Sequence, residues 1–150
     1  MTSKELSSLE SLCARKEYCS KDILAKALKL VEGDADEAEG LVAALIENGF
    51  VDDGRYARAF ASDKALLDGW GPLKIRVALR EKGISDSLIR DALDNIDSAK
   101  ALEKMEKVLE VKWKTLSGDP AGRLKLIRFA LSRGYEYSQI ENPVREITKV

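Results

Sequence analysis

The 150-residue chain contains no histidine. That absence removes the imidazole of a Ser-His-Asp or Cys-His nucleophile, the histidine ligands of common zinc sites and the usual general base of neutral-pH catalysis. Neither G-x-x-x-x-G-K-[ST] nor G-x-G-x-x-G occurs, so the glycine-rich cradles for nucleotide phosphates are missing too. No apolar run approaches the ~18 residues that cross a bilayer. The opening Met1-Thr2-Ser3-Lys4-Glu5-Leu6 has no apolar leader core behind its lysine. Cysteine is scarce: Cys13 and Cys19, in a chain without an export signal, are expected to be packed free thiols of a cytoplasmic protein. Catalysis, a cofactor, a metal, a membrane and a small-molecule substrate are accordingly not expected.

The composition, 45% hydrophobic and 34% charged, is that of a folded chain with enough apolar surface for one domain or a few small ones. Net charge is −1, which argues against a general polyanion binder. The charge is unevenly placed. Lys plus Arg against Asp plus Glu runs 6 to 10 over residues 1–48, 8 to 9 over 49–99 and 11 to 7 over 100–150. The last third is suited to an acidic partner, or is a solvated helical surface that drew more lysine than glutamate.

An internal repeat sets the architecture. Gly71-Pro72-Leu73-Lys74-Ile75-Arg76-Val77-Ala78-Leu79 lies fifty-one residues before Gly122-Arg123-Leu124-Lys125-Leu126-Ile127-Arg128-Phe129-Ala130, and Gly83 then falls on Gly134. Ile89, Ala92, Leu93 and Ile96 fall on Ile140, Pro143, Val144 and Ile147 and, backwards, on Ala38, Leu41, Val42 and Leu45, with the i, i+3, i+4, i+7 spacing of an amphipathic helix. Leu24 and Leu28 are matched to Ile75 and Leu79 at the same offset. The fold is therefore expected to be all-α: three tandem three-helix repeats with a period of about fifty-one residues, over 1–48, 49–99 and 100–150, forming an elongated body able to curve.

In the middle copy the helices are expected over 53–67, 72–82 and 86–96. Gly69-Trp70-Gly71-Pro72 breaks the first and places proline at the opening of the second, where its missing N–H is harmless. Gly83 closes the second as a left-handed residue, and Ser85 caps the third with Ile84 and Ile89 as a hydrophobic staple. Asp34 and Glu37 have capping-box spacing, Ser117-Gly118-Asp119-Pro120 marks the break in copy three, and Pro143 is placed near the first turns of the last helix. Tandem units of this kind bind large partners along a surface, and the sequence carries no sign of a pocket.

The run Glu47-Asn48-Gly49-Phe50-Val51-Asp52-Asp53-Gly54-Arg55-Tyr56-Ala57-Arg58-Ala59-Phe60 resembles the signature of the RecX regulatory family, in which Gly-aromatic-aliphatic-Asp-Asp precedes a helix opening on Arg-aromatic-Ala. Gly69-Trp70-Gly71-Pro72, Leu79-Arg80-Glu81-Lys82-Gly83-Ile84, Ile89-Arg90-Asp91-Ala92-Leu93, Cys19-Ser20-Lys21-Asp22-Ile23-Leu24 and Arg133-Gly134-Tyr135 are similar to that family in order and spacing. Cys19 stands where members often have Ser, and Asp22 and Ile23 where Glu and Leu are usual. The resemblance spans essentially the whole chain. It implies a modulator, most often an inhibitor, that binds the helical groove of the RecA–DNA filament and lowers recombination, ATP hydrolysis and co-protease activity, with a place in DNA repair and the SOS response. The ATP belongs to RecA.

Asp52 and Asp53 could hold a metal or do acid–base work, but directly before a helical stripe they read as an N-cap and a favourable first-turn charge. Arg55 either pairs locally with Asp52 or, with Arg58, projects toward the filament. Tyr56, Phe60, Trp70 and Trp113 read as core. The second helices carry Lys74, Arg76, Arg80 and Lys82, and, a repeat later, Arg123, Lys125, Arg128 and Arg133. These are either a cationic surface tracking a polymer or ordinary solubilising side chains. The alternative function is an autonomous DNA-binding protein using its three-helix units as helix-turn-helix modules. A weak DNA contact is compatible with either reading.

Overall fold

The computed structural model describes residues 3–149. These form nine helices and no strand: α1 (Lys4–Arg15), α2 (Ser20–Leu30), α3 (Ala35–Glu47), α4 (Asp53–Leu66), α5 (Pro72–Glu81), α6 (Asp86–Asp94), α7 (Ser98–Leu116), α8 (Gly122–Ser132) and α9 (Tyr137–Thr148). Short polar side chains begin most of them by accepting an otherwise free amide. Asp52 takes Arg55 N at 2.9 Å, Ser85 takes Leu88 N, and Asp34 takes Glu37 N without a return bond from Glu37. Left-handed glycines follow α5 and α8, with φ of +75° at Gly83 and +95° at Gly134, a conformation that side chains with a Cβ disfavour.

Three separate cores follow from the three copies. Leu9, Ile23, Ala27, Leu45 and Val51 lie at the centre of the first, Ala57, Ala61, Ile75, Leu79 and Ile89 of the second, and Leu109, Leu126, Ala130, Ile140 and Val144 of the third. Three residues cross the repeat boundaries read from the sequence: Val51, with half-buried Phe50 against it, packs into the first core, and Cys19 into the second. On α4 the small residues Gly54, Ala57, Ala61 and Ala65 are buried at helical spacing. This stripe lets α6 and α7 pack closely on the same helix, while Tyr56 and Phe60 lie half-buried on its flank.

Two sequence expectations need correction. Ile23 and Ala27, fully buried, occupy in the first core the places of Ile75 and Leu79, whereas Leu24 and Leu28 are only half-buried. The match there is fifty-two residues, not fifty-one, because α2 is one residue longer than α5. Pro143 lies inside α9, well past its first turn. Lacking an N–H, it leaves the carbonyl of Gln139 without its helical donor, which is tolerated because Gln139 is exposed.

The joints between repeats share one device. Neither α2 nor α5 has a side-chain cap of its own. For α2 the missing acceptor comes from the second repeat: Ser20 N and the Ser20 hydroxyl both donate to the Asp53 carboxylate, each at 2.7 Å. For α5 it comes from the third: Gly71 N donates to Arg133 O at 2.7 Å and Leu73 N to Gly134 O at 3.0 Å. Each pairing sets negative charge or carbonyl dipoles against a helix N-terminus. The Tyr135 hydroxyl, buried, donates to Gly69 O at 2.7 Å. The molecule exposes 9132 Å², against the ~7,600 Å² of a compact monomer of this mass, as an elongated chain of small cores requires.

Candidate partner-binding surface

The ten basic residues singled out from the sequence divide by what their side chains touch. Arg55 Nε donates to Glu17 at 2.5 Å and its guanidinium also reaches the carbonyls of Gly49 and Phe50, so it ties the first repeat to the second. Its partner is neither Asp52 nor solvent alone, and the Glu17 hydrogen bond raises its pKa. Arg58 pairs with Asp91 at 3.1 Å, Arg80 with Asp86 at 3.2 Å and Lys125 with Asp119 at 2.7 Å. Lys82 pairs with Asp22 at 2.8 Å across the first joint. Arg76, Arg123 and Arg128 are exposed, with no ion-pair partner among the described residues.

Lys74 and Arg133 are brought together at the second joint. The Lys74 ammonium lies 4.4 Å from the centroid of Trp70, where Lys64 also sits at 4.7 Å. Arg133 donates to Asp68 O and lies 6.0 Å from the Phe129 centroid, with Lys112 at 5.2 Å from the same ring. Lys104 and Lys107 continue this flank along α7, lining with Lys112, Arg133 and Phe129 an open groove of about 340 Å³. No acidic side chain lines that groove, and Val111 in it is 65% exposed. The result is a cationic band, laid over half-buried aromatic rings, that crosses from the second repeat to the third.

Sequence reasoning missed Lys64, Lys104, Lys107 and Lys112. Their spacing on α4 and α7 is visible in the sequence, but their convergence depends on how α7 meets α8 and how closely Gly69 approaches Val108 and Lys104 of α7. The sequence also gave no sign of grooves, yet several open ones line the repeats. One of about 450 Å³ between α5 and α8 exposes Leu73, Val77 and Leu131.

Burial pushes the thiols of Cys13 and Cys19 up, leaving both protonated and unreactive near neutral pH. Among the described residues no group of His, Cys, Asp or Glu is placed to hold a metal ion, and no helix is long and apolar enough to cross a membrane.

Tandem three-helix units, joined end to end and carrying a cationic, aromatic-backed flank, define an all-α helical-repeat protein. A family model described as RecX, second three-helix domain, matches residues 52–93, from the cap of α4 to the core side of α6. The regulatory protein RecX of Clostridium perfringens is 31% identical over 119 residues, covering 77% of this chain and 55% of that protein. The regulatory protein RecX of Chromohalobacter salexigens is 29% identical over 133 residues, covering 87% and 84%. The crystal structure of RecX from Lactobacillus salivarius superposes with a TM-score of 0.83 at 22% identity, covering 96% of this chain and 94% of that one, which shows the shared fold. The chain belongs to the RecX family of regulatory proteins. It spans about half the length of the clostridial relative.

Proposed function

We propose that this chain regulates the RecA recombinase by lying along the RecA–DNA filament, in its helical groove, and limiting filament growth or persistence. Recombination, ATP hydrolysis and co-protease activity would fall together, because all three belong to the assembled filament. The chain needs no chemistry of its own for this and would act in the cytoplasm, in homologous recombination and the SOS response.

The observation that carries the reading is the locked succession of like modules. A body whose surface recurs at a fixed step suits a polymer whose subunits recur, and distributed contacts replace a deep pocket. Family membership supports it independently. The exposed Arg76, Arg123 and Arg128, with Lys74 and Arg133 in the band, are the basic residues best placed to meet such a partner.

The test is to add the purified chain to preformed RecA–ATP–DNA filaments and follow ATP hydrolysis. A fall that saturates with added chain is expected, and an unchanged rate at saturation would overturn the reading. Tight binding to naked DNA, with affinity dropping steeply as salt rises, would instead support an autonomous DNA-binding protein.

A further inference from the structure

We propose that the groove between α7 and α8 is a receptor for an acidic peptide segment carrying an apolar side chain, presented by a protein partner, and is not a track for nucleic-acid phosphates. Four cations surround it, Lys104, Lys107, Lys112 and Arg133, and among the described residues only the rim residue Lys107 is ion-paired, with Glu103 at 3.4 Å where both side chains are about two-thirds exposed. The remaining positive charge is held close to three apolar side chains, half-buried Val108 and Phe129 and the exposed Val111.

Charge alone would accept phosphate or carboxylate. The apolar groups discriminate. A sugar–phosphate backbone leaves Val111 uncovered, and a base stacking on Phe129 would compete with the Lys112 and Arg133 cations already against that ring. A peptide that alternates carboxylates with an aliphatic or aromatic side chain answers both features, placing acid against the lysines and covering the valine. Lys104 and Lys112 lie eight residues apart on one helix, ~12 Å along its axis, the reach of about four extended residues. The groove is thus sized for a short linear segment.

This inference rests on the filament reading only for which protein carries the segment, and the two fail separately. Fluorescence anisotropy with the full chain would compare four labelled probes: a short peptide alternating Asp or Glu with Leu or Phe, its Asn/Gln counterpart, its counterpart with Ser in place of the apolar residues, and oligothymidine of equal charge. The acidic–apolar peptide is expected to bind at least about tenfold more tightly than the other three. Val111→Asp and Lys112→Gln should each weaken it by about tenfold with an unchanged thermal transition, since both positions face the groove, while Lys29→Gln, exposed on α2 in the first repeat, changes it less than about twofold. Equal or tighter binding of oligothymidine, no peptide binding, or indifference to Val111→Asp would overturn the proposal. Filament inhibition that persists without peptide binding leaves the regulator reading standing and removes the groove. Peptide binding without any effect on filaments does the reverse.

Discussion

Gly71 and Gly134 meet backbone to backbone where the second repeat joins the third. A Cβ on Gly71 would overlap the carbonyl of Gly134 and the amide of Tyr135, and one on Gly134 would lie 2.6 Å from Lys74 N. Backbone atoms cannot turn aside as a flexible side chain would, so the joint closes only without those methyl groups. Gly71→Ala is expected to cost ~1–3 kcal/mol from overpacking, and to break the Gly71 N to Arg133 O bond. Urea unfolding reads the first effect, and small-angle scattering reads the second as a longer or more variable particle. An unchanged midpoint and radius would mean that the joint is not closed in solution.

Tyr135 tests the same joint more gently. Its hydroxyl is buried and satisfies Gly69 O, so Tyr135→Phe removes one bond and leaves a buried carbonyl unpaired. The expected loss is about 1–3 kcal/mol. Tyr137, two residues on and more than half exposed, is the control, and its change to Phe should stay within about 0.5 kcal/mol. Equal effects at the two positions would contradict the buried bond.

The adjacent carboxylates Asp52 and Asp53 have different jobs. Asp52→Ala should cost about 0.5–2 kcal/mol as a lost cap within the second repeat. Asp53→Ala should cost a similar amount and also loosen the first joint, because it deprives Ser20 of both its acceptors. Limited proteolysis near Lys16–Ser20 separates them: faster cleavage is expected for Asp53→Ala and not for Asp52→Ala.

Acid should weaken the first joint. Burial pushes the Asp22 carboxyl upward, but the hydrogen bond and charge of Lys82 outweigh it and hold the pKa below its ordinary 3.8. The amide of Arg55 does the same for Asp52. A carboxylate lowered in the folded state stabilises fully above its unfolded pKa and loses that contribution as pH falls through the folded value. Stability from these groups should be flat near neutrality and decline below about pH 4. Asp22→Asn should make the decline shallower, by less than about 1 kcal/mol because the pair is more than a third exposed. A decline already under way at pH 6 would point to other groups.

Much of the architecture was legible because helix signals are local. Ser85, Asp52 and Gly83 mark ends that depend on neighbours three or four residues away, and the stripe Ile89, Ala92, Leu93, Ile96 needs only the helical period. The register of α2 was not legible: Ile23 with Ala27 and Leu24 with Leu28 are both i, i+4 pairs, and only packing against α3 selects the first. The joints were hidden for the same reason. Nothing near Asp53 announces Ser20 thirty-three positions earlier, and Arg55 pairs with Glu17 across thirty-eight. The cationic band is tertiary too, since Lys112 and Arg133 share Phe129 only after α7 folds against α8.

Ion pairing ranks the basic residues for their effect on the filament. The charges of Arg80 and Lys125 are offset by Asp86 and Asp119 at 3.2 and 2.7 Å, so removing them leaves a bare acid and changes the attracting field over a short range only. Among the described residues Lys104 and Lys112 have no such offset, and the exposed Arg76 and Arg128 have no ion-pair partner. Replacing Lys104 and Lys112 with Ala is therefore expected to weaken inhibition of RecA ATP hydrolysis most, Arg76 with Arg128 next, and Arg80 with Lys125 least, while helical content stays intact in all three. Raising salt should compress the differences, because exposed charges are screened within about 10 Å at 0.1 M. Circular dichroism with an ATPase titration at two salt concentrations checks the order. If the Arg80 and Lys125 pair proved the most damaging, docking would lie on the outer faces of α5 and α8 and not in the band beside Phe129.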